Sequence, residues 1–377
     1  MRIAIIHDWL TVYAGAEKVL EQLLLQYPQA EVFTLVDFLP SNERAFLHGA
    51  KVHTSFLQHL PRARSSYRSY LPLMPLAIEQ FDLSKFDVVL SSSYAVAKGV
   101  LTGPDQVHIC YCHSPIRYAW DLQHQYLRES GLETGFKGWI AKAVLSYVRM
   151  WDSRTANGVD QFIANSSYIA RRIKKVYGRD SIVIPPPVEI PQRTYELERS
   201  DYYVTASRMV PYKRIDLIVK AFNKMPDKRL VVIGAGPMLE SVKAIAQSNV
   251  SVLGYQPQEV LEEHLSRAKA FVFAAEEDFG IAPVEAQAHG TPVIAFGKGG
   301  ILDSVKEGIT GTFFSEQTEQ SICEAVEAFE NRSTPWSRQD IIENARQFSP
   351  PVFRDRIAQV VASQVKPAPP ALATPSP

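Results

Sequence analysis

The sequence predicts an α/β protein built from two doubly wound, parallel-sheet domains, and three observations carry that reading. Short β-branched or aliphatic runs alternate with longer amphipathic stretches, prolines 185–187 interrupt the alternation, and it then restarts. A chain of 377 residues is also too long for one ordinary domain and suits two cores of usual size.

In the first half, strands are expected at residues 3–6, 32–35, 88–90, 108–111 and 162–164. Helices are expected at 16–27, where apolar residues recur at helical spacing, and from Gly138 past Trp151. The three prolines cannot lie inside a helix or a central strand, because each fixes φ and lacks an N–H, so the linker falls there. Beyond it, strands are expected at 202–206, 230–233, 270–273 and 293–296. Helices are expected at 215–223 and over a stretch ending near His289 and Gly290. The tail from Lys366 is almost all Pro, Ala, Ser and Thr, which bury too little apolar surface to offset chain entropy, and is expected to be disordered.

Forty basic and forty acidic side chains give a formal net charge of zero, which excludes a global attraction for nucleic acid or anionic lipid. The apolar start at residues 3–6 meets His7 and Asp8 at once, unlike a signal peptide, and no stretch approaches the roughly 18–20 apolar residues that cross a bilayer. A cytoplasmic protein is expected. Cys110, Cys112 and Cys323 are an odd count, and the first two alternate along a strand, so reduced core thiols are expected.

The most informative segment runs from Phe271 to Gly300. An apolar strand ends in Glu276-Glu277-Asp278-Phe279-Gly280, and a helix follows with Pro283 in its first turn and Gly290 suited to the left-handed residue after it. Strand end, glycine and helix N-terminus together suit a phosphate or the sugar attached to it. Glu277 and Glu285 flank the turn eight positions apart. Alone, Glu285 reads as a first-turn acid complementing the helix dipole and Glu277 as a solvated loop acid; a retaining-glycosidase pair would need carboxyls about 5 Å apart. A second group, Arg208-Met209-Val210-Pro211-Tyr212-Lys213, joins a strand end to a helix start, so Arg208 and Lys213 can converge on one anion, a pyrophosphate being the natural guest. Gly234-Ala235-Gly236 lacks the third glycine of a dinucleotide fingerprint and reads as a tight turn.

Residues 277–293, Glu277-Asp278-Phe279-Gly280-Ile281-Ala282-Pro283-Val284-Glu285-Ala286-Gln287-Ala288-His289-Gly290-Thr291-Pro292-Val293, resemble the signature of the family-four retaining glycosyltransferases, a Glu, seven residues and a second Glu. Arg208 and Lys213 are similar to that family's clamp on the donor diphosphate, Gly15 to its first glycine loop, and Phe348-Ser349 to the start of its crossover helix. The chain departs from the pattern at Ala14-Gly15, usually Gly-Gly, and at Asp278, usually Gly. The segments His7-Asp8-Trp9-Leu10 and Cys112-His113-Ser114-Pro115-Ile116-Arg117-Tyr118-Ala119-Trp120-Asp121 look most like the WbaZ-type mannosyltransferases of bacterial surface polysaccharide synthesis.

The resemblance implies a GT-B fold: two Rossmann-like domains facing a central cleft, with acceptor domain 1–186, nucleotide-sugar domain 187–347, a crossover helix 348–365 returning to the first domain, and tail 366–377. It implies GDP-mannose as donor, a polyprenyl-diphosphate-linked glycan as acceptor, and donor contacts from Gly15, Arg208, Lys213, Phe279, Gly280, Ile281 and Glu285. Glu277 would meet sugar hydroxyls, Glu285 the ribose, and His113 the reacting sugar, although a buried histidine satisfied by backbone is the plain alternative for His113. No Asp-x-Asp triplet occurs, so neither a metal nor another cofactor is expected. Residues 52–81 interleave Phe56, Leu57, Leu60, Tyr67, Tyr70, Leu71, Leu73 and Met74 with Arg62, Arg64 and Arg68. Peripheral contact with the cytoplasmic face of the inner membrane and a loop packed over the cleft are equal readings. The alternatives are a UDP-sugar-dependent member of the same family, an epimerase or phosphorylase on the same fold, and a non-catalytic nucleotide-sugar-binding protein.

Overall fold

A computed structural model describes residues 1–191 and 198–365; the predicted disordered tail, 366–377, lies outside the described residues. The chain divides into two compact units, one of Met1–Ala164, Arg172–Ile184 and the residues from Arg354 on, the other of Asn165–Arg171 and Pro185–Phe353.

The first unit is built on a seven-stranded sheet of β1 (Ile3–His7), β2 (Glu31–Thr34), β3 (Val52–Thr54), β4 (Val88–Ser93), β5 (Val107–Cys112), β6 (Gln161–Ala164) and β7 (Ser181–Val183). All pairings are parallel, in the order β3-β2-β1-β4-β5-β6-β7. β1 is buried along its whole length, as a parallel strand covered on both faces must be, which is why it reads as a continuous apolar run. The strand order reverses between β1 and β4, so the carboxyl ends of these two strands border a crevice. β4 runs three residues beyond the apolar stretch that marked it, because Ser91, Ser92 and Ser93 are buried with polar partners. The helix expected from Gly138 begins at Gly135 and ends at Thr155. In the C-terminal helix Pro350–Gln364, Arg354 bonds Gln22 and Arg356 donates to the Val183 carbonyl.

The second unit holds a six-stranded parallel sheet of β8 (Tyr203–Ala206), β9 (Leu230–Ile233), β10 (Val250–Gly254), β11 (Phe271–Phe273), β12 (Val293–Phe296) and β13 (Gly311–Phe314), in the order β10-β9-β8-β11-β12-β13. Its reversal lies between β8 and β11. The helix Ile215–Asn223 buries Ile215, Leu217, Ile218, Val219, Ala221 and Phe222, and packs Phe222 against Tyr203 on the sheet. β3, β7, β10 and β13 were not foreseen. They are three to five residues long and carry polar or glycine positions, so their apolar signal is too short to stand out.

The stripe at 52–81 divides between core and surface. Leu57, Tyr67 and Met74 enter the core of the first unit, while Phe56, Leu73 and the three arginines are exposed. Arg68 lies over the Tyr67 ring at 4.7 Å. Among the described residues the three cysteines are free and buried, and no helix is long and apolar enough to cross a membrane.

Candidate active site

Each unit gathers its predicted site residues at the reversal point of its own sheet. In the second unit β8 ends at Ala206 and delivers Arg208 to the sheet edge, where it is exposed. The backbone there is held from the side: Ser207 N donates to the Ile233 carbonyl at 3.1 Å and Met209 N to the Ala235 carbonyl at 2.8 Å. A single 3₁₀ turn, Pro211–Lys213, then brings Lys213 back over the sheet before the helix begins. Arg214, with φ +55°, makes the left-handed link between turn and helix.

β11 leads into Glu277, and Lys213 and Glu277 form an ion pair whose side chains are each 15% exposed. Lys213 and Glu277 thus meet directly, although they are 64 residues apart in sequence. Several contacts fix the loop that carries Glu277. Gly300 N donates to the Glu277 carbonyl at 2.8 Å, Ser166 bonds the Asp278 carbonyl, and Tyr168 OH donates to Glu276 Oε1 at 3.0 Å. A Cβ on Gly300 would stand 2.1 Å from the Asp278 carbonyl oxygen, so the close approach of residues 277–279 to this loop requires glycine. Sequence reasoning passed over Gly300 and Ser166, which no local pattern distinguishes from ordinary loop residues.

Gly280 has φ +87° and caps the helix Ile281–Ala288, which points its N-terminus out of this loop. The first-turn N–H groups of Ile281 and Ala282 have no partner within the helix by geometry, and Pro283 has none to offer, so the helix end presents donors and a positive dipole. Gly290 follows the helix with φ +76°, the left-handed residue expected there. Phe279 is placed differently from a ligand contact: its ring is buried against Phe348 with Val188, Val284 and Ala345 around it, which leaves only its backbone for a ligand. Arg208 and Glu285 line one cavity of about 550 Å³ together with Gly234, Ala235, Tyr255 and Gln256. Tyr255 and Gln256 had no sequence signal, because nothing in their neighbourhood marks a base-sized pocket until β10 is placed beside β9.

In the first unit, β1 ends at His7 and β4 carries Ser92 beside it in register. His113 follows β5, with Nε2 2.9 Å from Ser92 Oγ and its ring edge-on to Tyr111 and Tyr94. Burial, with repulsion from His7 adding to it, pushes the His113 imidazole down to about 3, so the ring is neutral at neutral pH. Asp8, fully buried, accepts four backbone N–H bonds, from Tyr94 at 2.7 Å, Ala95 at 3.0 Å, Val96 at 2.6 Å and Ala97 at 2.7 Å. Burial raises the Asp8 carboxyl and these amide donors pull against it. The carboxylate thereby pins the end of β4 to the end of β1. Gly15 opens the helix Gly15–Gln26, whose Glu17 accepts from Ala14 N at 3.0 Å.

Two family models match the chain in succession: "Glycosyltransferase Family 4" over residues 13–191 and "Glycosyl transferases group 1" over residues 189–348. Among curated proteins, the chain is similar to the GDP-mannose-dependent alpha-(1-6)-phosphatidylinositol monomannoside mannosyltransferase of Mycolicibacterium smegmatis, 28% identical over 221 residues, 50% of this chain and 57% of that protein. It is also similar to the D-inositol 3-phosphate glycosyltransferase of Geodermatophilus obscurus, 29% identical over 202 residues, 45% of each. The chain thus spans about half the length of these relatives. Among solved structures, the Anabaena protein HepE in complex with UDP has a TM-score of 0.68 at 17% identity, covering 96% of this chain and 100% of that one. The sucrose-phosphate synthase of Thermosynechococcus elongatus has a TM-score of 0.69 at 16% identity, covering 96% and 99%. At these identities the likeness is one of fold, and the fold is GT-B.

Proposed function

We propose that this chain, which the two successive family models support as a family-four glycosyltransferase, transfers mannose from GDP-mannose to a lipid-linked glycan with retention of anomeric configuration. The observation that carries the reading is the Lys213–Glu277 ion pair just ahead of the Gly280 helix end, with Arg208 lining a cavity that the same helix borders through Ala282 and Glu285. Departure of a nucleoside diphosphate loads charge onto its β-phosphate, and groups that bind this charge more strongly in the transition state lower the barrier. Arg208 and the first-turn amides of the 281–288 helix are the donors for it. Lys213 is held ready by Glu277, whose carboxylate keeps the ammonium in place and meets a sugar hydroxyl when the phosphate draws the lysine away. The 550 Å³ cavity takes the nucleoside, with Glu285 at the ribose and Tyr255 beside the base. Gly15 and His113 keep the roles the resemblance implies. The leaving phosphate itself accepts the proton of the attacking hydroxyl, and no divalent metal takes part.

The choice of GDP-mannose leans on the mannosyltransferase relatives. A UDP-sugar is the second reading, favoured by the UDP-bound neighbours of similar fold. Surface polysaccharide synthesis at the inner membrane belongs to the same proposal. Its support is the helix Gly135–Thr155, where Phe136, Trp139, Ile140, Tyr147 and Met150 are exposed along one face.

Calorimetric and thermal-shift titration with GDP, UDP, ADP and their sugar conjugates, in EDTA, tests the reading. GDP and GDP-mannose should stabilise the protein by mass action, and Arg208→Ala should weaken binding roughly 10- to 100-fold, the worth of one charge-assisted contact. Preference for UDP-sugars replaces the donor. Binding that appears only when a divalent ion is restored removes the metal-free mechanism, and no binding at all removes the transferase.

A further inference from the structure

Just beyond the carboxyl ends of β1 and β4, Trp9 and Tyr94 belong to a row of aromatic rings. Tyr94 stands edge-on to His113 with ring centroids 5.9 Å apart, Trp9 edge-on to Tyr94 at 5.0 Å, and Tyr67 tilted against Trp9 at 5.3 Å. Trp9 and Tyr67 are buried. Backbone as well as packing holds the row, because Asp8, the residue before Trp9, accepts the amides of residues 94–97. At the end away from His113, the Arg68 guanidinium lies 4.7 Å from the centroid of the Tyr67 ring and 5.7 Å from that of Trp9.

A cation is drawn to the face of an aromatic ring by the ring's quadrupole, and that contact engages none of the five N–H donors of a guanidinium. Arg68 is exposed, and among the described residues no carboxylate pairs with it and no acceptor takes its donors. Arg62 and Arg64 are exposed as well, but among the described residues neither lies over a ring. Of the three, Arg68 is thus the one held in place with its donors open. Its charge also reaches the crevice: burial raises the Tyr94 and Tyr118 phenols, the Asp8 charge adds to it, and Arg68 pulls against both. Asp8 does not compete for the guanidinium, since four amides already occupy its two oxygens.

We propose that Arg68 anchors the acceptor through a phosphate: the guanidinium, seated on Tyr67 and Trp9, donates to two phosphate oxygens side by side, and the sugar joined to that phosphate extends along the aromatic row toward His113. A planar fork of N–H donors matches a phosphate, whose charged oxygens accept in pairs, better than a sugar hydroxyl, which offers one neutral oxygen. The location agrees with the rule that ligands of open parallel sheets enter the crevice where the strand order reverses, here between β1 and β4. The inference rests on the reading of the acceptor as lipid-linked and deepens it, since it names the residue that recognises the link between lipid and glycan.

The experiment is calorimetric titration of the full chain, in EDTA, with farnesyl diphosphate below its micellar concentration, a soluble stand-in for a lipid diphosphate, and in parallel with inorganic pyrophosphate. Two sites are expected in wild type, because a diphosphate also suits Arg208 and Lys213. Arg208→Ala should remove one, and Arg68→Ala should weaken the other roughly 10- to 100-fold, the worth of a charge-assisted pair. Arg68→Lys keeps the charge without the fork and should recover only part of the loss. Arg62→Ala and Arg64→Ala remove the same charge from the same segment and should bind as wild type does. Arg68→Gln, which still covers the two rings, should show the same loss and stands in for Arg68→Ala should the bared rings unfold it. A second site that takes farnesyl diphosphate but not pyrophosphate makes a lipid-linked phosphate the ligand, and one that takes both makes it any phosphate; each supports the anchor. No site beyond the one that Arg208 controls, a second site indifferent to Arg68, or an equal loss in all three arginine variants overturns the proposal, the last because it marks a diffuse basic surface of the kind that meets a bilayer. None of these outcomes touches the donor reading, and a second site that persists when no nucleotide-sugar binds would keep the anchor without it.

Discussion

Single side chains at the two sheet edges do different electrostatic work. Lys213 and Glu277 are paired and mostly covered, so the ammonium is held at the sheet edge by its carboxylate partner, whereas Arg208 stands exposed at the cavity rim. His108 and His113 follow burial instead of charge pairing. His108 is fully buried, with Nε2 2.8 Å from Ser91 Oγ and Nδ1 3.1 Å from the Gly158 carbonyl, and burial pushes it down to about 4. An unfolded chain takes up a proton at such a residue near pH 6.5, while the native chain does not until about pH 4. The unfolded state therefore binds more protons in that window, and stability falls as pH falls through it. His113, pushed down to about 3, adds a contribution of the same sign. Urea midpoints should decline from pH 7 to pH 4.5, and His108→Gln should flatten the decline by about half. A variant profile as steep as wild type would mean that other groups set the acid limit. His108 was legible only as one residue of a strand, since its partners Ser91 and Gly158 lie 17 and 50 positions away.

At the scale of elements, the site depends on how loops end strands and start helices. The helix Ile281–Ala288 is only eight residues long, and its direction is set by Gly280 at φ +87°. The space around Gly280 would accept a methyl group, with the nearest atoms 3.7 Å from a Cβ, so its requirement is one of backbone angle. Gly280→Ala should cost about 1–2 kcal/mol in urea unfolding, the penalty for a left-handed L-residue, and should weaken nucleotide binding as the first-turn amides tilt. A variant as stable as wild type would show that the turn relaxes without strain. This helix and its two flanking glycines were legible, because a Pro in the first turn and a Gly after the last are local signals. The brace from Ser166, Tyr168 and Gly300 was not, since it joins segments more than a hundred residues apart or on a different loop.

For the whole molecule, the two units each carry a parallel sheet whose order reverses once, and Arg208, Lys213 and Glu277 belong to one unit and His113 to the other. The first unit also bears the exposed face of the helix Gly135–Thr155, with Phe136 77% and Trp139 68% exposed. Vesicles of phosphatidylethanolamine and phosphatidylglycerol should bind the protein in flotation, and Phe136→Ser with Trp139→Ser should reduce binding roughly tenfold or more, given the worth of burying one aromatic side chain. Binding that survives this double variant would return the contact to the arginine-bearing surface at 62–68. By itself the sequence determined the α/β class, most strands of the two sheets and the spacing of the Glu277 and Glu285 segment. These follow from periodicity and from residues with fixed backbone preferences, both of which act within a few positions along the chain. Tertiary structure alone decided that Lys213 meets Glu277, that Tyr255 joins Arg208 and Glu285 around one cavity, that the Phe279 ring belongs to the core, and that His113 meets Ser92. The physical reason is register: which side chains share a buried space is fixed by the lateral order of parallel strands, and the alternation of strand and helix along the sequence is the same for many such orders.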